Sequence, residues 1–169
     1  MIYNNILMSI DLTKNYKLKN RWIYWYHGIK DKNWKIDSYK KVYEIDNIEK
    51  YIDIIKNIPD VTCGMFFIFK EGIMPIYEDK NHREKGGYYS FKIMKQNTNN
   101  IWRELTASLV GETLIKNKEN ITGISLSPKI RNCIVKIWVR DYKIDLNFIN
   151  KDIEGFDKNE SRLTKFSIQ

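Results

Sequence analysis

The chain is expected to adopt an α+β fold: a single, mostly antiparallel sheet with helices on one face and the other face free to bind. Two observations predict it. Short β-prone runs rich in Ile, Val, Tyr, Phe and Trp alternate with polar turns, and two stretches repeat apolar residues at helical spacing. No internal repeat and no Pro/Gly/Ser-rich linker divides the 169 residues, so one domain is expected over 1–169, with residues 1–17 as a loosely packed arm.

In chain order, residues 21–27 (RWIYWYH) read as an aromatic strand, and the Lys/Asp/Asn loop after it carries Trp34. Residues 39–45 form the next strand. Asp46-Asn47 then give an N-cap signal, and Ile48, Tyr51, Ile52 and Ile55 recur at helical spacing. The runs 63–70 and 87–93 are apolar and β-prone, and they flank a turn-rich polar insert at 78–87. That insert is expected at one end of neighbouring strands. A second helix is expected over 100–115, with Trp102, Leu105, Leu109 and Val110 on one side and favourable Ala, Leu and Glu content. Strands at 122–126, 134–140 and 162–168 complete the sheet.

A net charge of +8 and a pI near 9.3 favour an anionic partner, and 14% aromatic residues supply stacking surfaces. Together they point to nucleic acid rather than membrane. The excess of Lys over Arg, with many Ile and Asn, is the mark of AT-rich coding and discounts the charge argument. Cys63 and Cys133 stand far apart without a C-x-x-C or a nearby His, so neither a zinc site nor a disulfide framework is expected, and no cofactor is implied. The start, MIYNNILMSIDLTKN, lacks a basic leader and a cleavage site, and nothing approaches membrane-spanning length. A cytosolic monomer is expected.

Three features carry the chemistry: Trp34 in its polar loop, Tyr77-Glu78 after Pro75, and the basic cluster Lys129, Arg131 and Lys136. Two aromatic planes attract a flat, cationic base by stacking and cation–π energy. A 7-methylguanine ring is such a base. Its Watson–Crick edge presents two adjacent N–H donors that one carboxylate, Glu78, accepts in a charge-assisted pair. Lys and Arg then supply fixed positive charge for phosphates. His27 and His82 are expected in structural or solvent roles.

The stretches LKNRWIYWY, Asn33-Trp34, GIMPIYEDKNHREKGGYY, WRELTASLVGE and ITGISLSPKIRNCIVKIW, in that order over residues 18–139, resemble the eukaryotic translation initiation factor 4E family, the mRNA cap-binding proteins. The resemblance implies a curved sheet with helices on the convex face and a ligand slot on the concave face. It implies Trp34 and Tyr77 as the cap-stacking pair, Glu78 on the base edge and Trp138 against the methyl group, with Trp22, Trp25 and Trp102 as core. Lys129 stands at a family arginine, while a family lysine falls on Ile134. Strand alternation puts Ile134, Lys136 and Trp138 on one face, so Lys136 is expected to restore the cation about 7 Å further along, with Arg131 as a second substitute. Downstream nucleotides are expected near Lys158, Asn159, Ser161 and Arg162.

The same resemblance implies capped mRNA and an initiation factor 4G-like scaffold as partners, the scaffold docking a helix on Leu18, Ile48, Ile52, Arg103 and Ala107. Ile52, Arg103 and Ala107 depart from the family there. Loss of an aromatic anchor costs about 2 kcal/mol or more, so the scaffold contact is expected to be absent or non-standard. The usual long C-terminal helix is expected to be lost or reduced to 142–150. Compactness and AT-rich coding fit a large DNA virus or a reduced parasite, the location then being the host cytoplasm.

Four functions follow from these residues: a cap-binding initiation factor, a cap-sequestering repressor, a decapping hydrolase and an RNA-binding domain of other specificity. Arg103-Glu104-Leu105 and Gly111 superficially match a Nudix box, but Ala107 and Ser108 stand where its metal-binding glutamates belong. Without those carboxylates no divalent metal is held to activate water.

Overall fold

The computed structural model describes residues 15–58, 60–82, 85–149 and 152–166. Its strands are β1 (Lys17–His27), β2 (Lys40–Asn47), β3 (Met65–Lys70), β4 (Gly87–Met94), β5 (Ile121–Pro128), β6 (Asn132–Val139) and β7 (Ser161–Lys165). They join one sheet in the order β2-β1-β3-β5-β6-β4-β7, each neighbouring pair antiparallel. Two helices, α1 (Ile48–Asn57) and α2 (Lys95–Val110), complete the α+β architecture expected from the sequence. Among the described residues no helix is long and apolar enough to cross a membrane.

Period-two alternation sorts each strand onto two faces. Toward the helices point Trp22 and Tyr24 of β1, Phe66 and Ile68 of β3, and Val135 and Ile137 of β6, which meet Ile101, Trp102 and Leu105 of α2. Toward the other side point Phe67 and Phe69 of β3 and Trp138 of β6, covered by Tyr39 and Ile73 from loops. Trp25 packs against this second cluster, so it does not join Trp22 and Trp102 in the helix-side core. Gly123 lets β5 close on β3 here. A Cβ at that position would meet the Ile68 carbonyl oxygen and the Phe69 ring, each at 2.6 Å.

Helix α1 starts where the sequence places it, because the Asn47 side chain accepts from the Lys50 amide at 2.8 Å. Tyr51 then ties it to α2 by donating to the Arg103 carbonyl at 3.0 Å. Helix α2 is displaced from its expected range, starting and ending earlier. Its first turn is the polar run Lys95–Asn99, held where the Thr98 hydroxyl donates to the Met94 carbonyl at 3.1 Å. It stops where Gly111 donates back to Ala107 and Glu112 takes a positive φ of 56°. Leu114 and Ile115 therefore lie beyond the helix, and Ile115 bridges to Phe148.

One further expectation is corrected. Strands β3 and β4 are not neighbours, since β5 and β6 lie between them. The insert between them crosses the open face of the sheet instead of capping a hairpin. Ile73 and His82 are buried, and Ile76 packs on the second cluster. Of the two outcomes expected for the C-terminal helix, loss is the one found: residues 142–149 are a turn and an extended segment, because Leu146 and Phe148 alternate onto the core and Asn147 takes a positive φ of 30°. Residue 150 lies outside the described residues. So do residues 1–14 of the expected arm and residues 167–168 of the expected last strand.

Candidate ligand-binding face

Trp34 sits in the loop after β1 with 54% of its surface exposed. One face of the indole stacks on His27, ring centroids 4.6 Å apart and planes 7° from parallel, which leaves the opposite face to solvent. His27 is fully buried at the end of β1. Its Nε2 lies 2.7 Å from the Asn33 carbonyl, and its ring lies against Tyr39 at 4.7 Å. A carbonyl can only accept, so Nε2 carries the proton. The loop is rigid for a local reason: Asn33 accepts from the Lys35 amide at 3.0 Å and donates to Asp37 at 3.0 Å, while the Asn33 amide donates to Asp31 at 2.8 Å. The Lys/Asp/Asn composition is thus turn chemistry that fixes the indole.

Tyr77, 48% exposed, stacks on Trp138 with centroids 5.2 Å apart at 29°, and its hydroxyl accepts from Lys136 Nζ at 3.1 Å. Trp138 is only 2% exposed; its indole N–H donates to Ser125 at 2.9 Å. Lys136 Nζ also lies 4.0 Å from the centroid of the Tyr88 ring, a close cation–π contact. Burial pushes the Tyr77 phenol up, with the Lys136 charge pulling against it. For Tyr88 burial also pushes up, but a hydrogen bond with Thr164 and the Lys136 charge outweigh it and hold the phenol below its ordinary value.

The insert carrying Tyr77 and Glu78 is pinned by His82. Its Nδ1 lies 3.0 Å from the Ile76 carbonyl and its Nε2 3.1 Å from the Thr122 hydroxyl. A register shift between Ile121 and Gly123 puts Thr122 out of step with the ladder at this point. Burial holds the imidazole below its ordinary pKa despite the Ile76 hydrogen bond and nearby Asp79.

Tyr39 connects the two halves. It touches His27, the backing of Trp34, and its phenol is pushed up to about 12, first by burial and then by Tyr77 and Glu78. Trp34, Tyr77, Glu78, Trp138 and Lys136 therefore share one side of the sheet. The rings of Trp34 and Tyr77 are not stacked on each other; Tyr77 rests on Trp138.

The remaining candidates separate. Lys129 and Arg131 flank the fully exposed Ile130 in the β5–β6 turn, closed by Lys129 N–H to the Asn132 carbonyl at 2.7 Å. They line an open groove of about 830 Å³ with Ile29, Thr62 and Lys95. Arg131 is five residues from Lys136, about 17 Å along the strand, so the structure does not gather the expected phosphate set into one cluster. Lys158, Asn159 and Ser161 line a different cavity, of about 470 Å³, with Tyr89 and Lys116. Ser161 pairs with Phe91 of the helix-side core, so that cavity opens away from the aromatic residues. Arg162, one residue on, points to the site face. Leu18, Ile52 and Ala107 pack partly buried against the helix-side core, Ile48 is half-buried and Arg103 is exposed.

The sequence reading gives His27 and His82 structural or solvent roles without naming their partners, and it misses Tyr39. Only His27, seven residues before Trp34 at the end of an aromatic strand, offered a local hint.

A seven-stranded antiparallel sheet with two helices on one side, and a half-exposed tryptophan and a Tyr-Glu loop on the other, defines an α+β class with an open aromatic face. Residues 17–163 match the family model for eukaryotic initiation factor 4E, and the chain belongs to that family. It is 28% identical over 143 residues to eukaryotic translation initiation factor 4E of Candida albicans, covering 78% of this chain and 68% of that protein. It is 28% identical over 131 residues to the Dictyostelium discoideum factor, covering 73% of this chain and 52% of that protein. The chain thus spans between about half and two thirds of these relatives' length. Among solved structures, Ascaris suum eIF4E-3 with m7G cap superposes with a TM-score of 0.68 at 26% identity, covering 76% of this chain and 75% of that one. Caenorhabditis elegans eIF4E-3, in complex with the 4E-binding protein Mextli and cap analog, gives 0.70 at 28%, covering 78% of each chain.

Proposed function

We propose that the face carrying Trp34 and Tyr77 binds the 7-methylguanosine cap of mRNA and that the protein acts in translation initiation. The observation that carries this reading is the indole of Trp34, backed by His27 and open on its other side, on the same face as Tyr77-Glu78. The cationic base stacks on the open indole. Tyr77 lifts from Trp138 to cover the base's second face, exchanging its exposed hydrogen bond with Lys136 for the contact. Glu78 accepts the two N–H groups of the base edge, and cations of the face meet the phosphates. About 2 kcal/mol per stacked face and about 2 kcal/mol per charge-assisted hydrogen bond, with the phosphate contacts added, reach micromolar binding once the entropy of association is met. No catalytic role is assigned, and a cytoplasmic location fits the reading.

Retention on immobilised 7-methyl-GTP tests it. The protein should be retained and released by free 7-methyl-GTP but not by GTP, and Trp34→Ala should pass through. Equal release by GTP would support an RNA-binding domain of other specificity.

Sequestration of caps is the alternative raised by Arg103, an exposed charge on the surface where the family resemblance puts a scaffold helix, and it is not favoured beside a relative solved with a 4E-binding protein. Recovery of a scaffold-like protein together with this chain on a capped-RNA resin would count against it.

A further inference from the structure

We infer that Lys92, Lys136 and Arg162 form a three-cation cradle that takes the phosphate chain of the bound nucleotide along the β6-β4-β7 side of the face. The inference rests on the cap-binding reading and adds to it two residues and a direction. Lys92 of β4 stands directly opposite Ile134 of β6, the position at which the family resemblance leaves a cation missing. Opposed residues on antiparallel strands share a face with Cβ atoms about 5 Å apart, so an ammonium on Lys92 reaches the space that a lysine at 134 would fill. One rank further along, Ser90 lies between Lys136 on one side and Arg162 on the other. The strand spacing puts those two backbones about 10 Å apart, and Lys92 lies on a diagonal about 7 Å from each. The long side chains of Lys and Arg close such gaps onto a shared phosphate. The Ser90 hydroxyl donates to the Arg162 carbonyl at 3.1 Å and fastens the edge strand at this rank.

Charge and access agree with the register. Lys92 and Arg162 are exposed and Lys136 is half-buried. Among the described residues none of the three forms an ion pair with a carboxylate, and Glu160, the nearest acid in register with Lys92, makes none with it. Lys136 already touches the Tyr77 hydroxyl, so a phosphate chain leaving the aromatic slot meets it first. Lys129 and Arg131 lie in the β5–β6 turn, beside Ile29 and Ile130.

The experiment measures affinity for 7-methylguanosine mono-, di- and triphosphate at two salt concentrations. The proteins are the wild type, Lys92→Ala, Arg162→Ala and the double variant Lys129→Ala/Arg131→Ala. Triphosphate affinity should fall about three- to tenfold in each of the first two variants, with a shallower salt dependence and little change for the monophosphate. Lys92→Arg should bind as wild type does. Unchanged triphosphate affinity in Lys92→Ala and Arg162→Ala, with the loss confined to the double variant, would overturn the cradle. If the wild type holds 7-methyl-GTP and GTP alike, the base reading fails, yet a loss of both ligands in Lys92→Ala would still support the cradle. Failure of the wild type to bind either triphosphate overturns both.

Discussion

Trp34 keeps one face of its indole in water because His27 occupies the other, and an exposed face of that size forgoes about 1 kcal/mol or more of burial. A protein recovers that only when something stacks there. Trp34→Ala should therefore lower affinity for 7-methyl-GTP about five- to 150-fold, from a stacking contribution of about 1–3 kcal/mol, with little change in melting temperature. Glu78→Ala should cost about 1.5–3 kcal/mol of binding and reduce discrimination against adenine nucleotides, whose edge lacks the two adjacent N–H donors; unchanged affinity for 7-methyl-GTP would remove Glu78 from the base edge. His27→Ala separates support from contact. It should weaken binding several-fold and also lower stability, by about 2–3 kcal/mol, since it empties a buried aromatic site. Calorimetry beside titration would show both losses, and a binding loss without a stability loss would make His27 a direct contact instead.

At the scale of elements, the insert between β3 and β4 depends on a buried neutral imidazole. His82 has its pKa held below the ordinary 6.5, chiefly by burial. Below pH 6.5 the unfolded chain takes up a proton that the folded chain refuses, so the stabilisation is full above 6.5 and declines as pH falls toward the folded value. Thermal melts of wild type and His82→Gln across pH 7.5 to 5 should converge on the acid side; parallel curves would show that His82 is not the titrating group. Asn47→Ala should cost α1 about 1 kcal/mol, read from denaturant unfolding. Helix α1 was legible because its cap and its apolar spacing are local, whereas the start of α2 was hidden in Lys95–Asn99, whose polar residues resemble a loop. The crossing of the insert was illegible for a different reason. Residues 63–70 and 87–93 are close in sequence, and only the non-local pairing of β3 with β5 and β4 with β6 separates them. Lys92 was invisible in the same way, since its meaning comes from its place opposite Ile134. Trp34 stands out by its polar loop, whereas Tyr77 and Glu78 taken alone read as a strand-end aromatic and a solvated charge and are raised only by the family resemblance; the support beneath all three is tertiary.

Across the whole molecule the sheet divides two tasks between its faces. The helix side holds the larger core, including Trp22, Trp102 and Leu105, and Leu105→Ala there should cost about 2–5 kcal/mol of stability without touching the ligand face. The opposite side carries a smaller aromatic cluster around Trp138 with cations at its margin, which suits a flat base joined to an anionic chain. The surface formed by Ile52, Arg103 and Ala107 lies on the helix side, so a partner could dock there while the other face is occupied. The most direct measurement is fluorescence titration of wild-type protein and Trp34→Ala with 7-methyl-GTP and with GTP. A base stacked on the open indole should quench wild-type emission saturably with 7-methyl-GTP, at least tenfold more tightly than with GTP, and the variant should lose that quenching. Equal affinity for the two nucleotides, or equal quenching in Trp34→Ala, would contradict a slot built for a cationic purine.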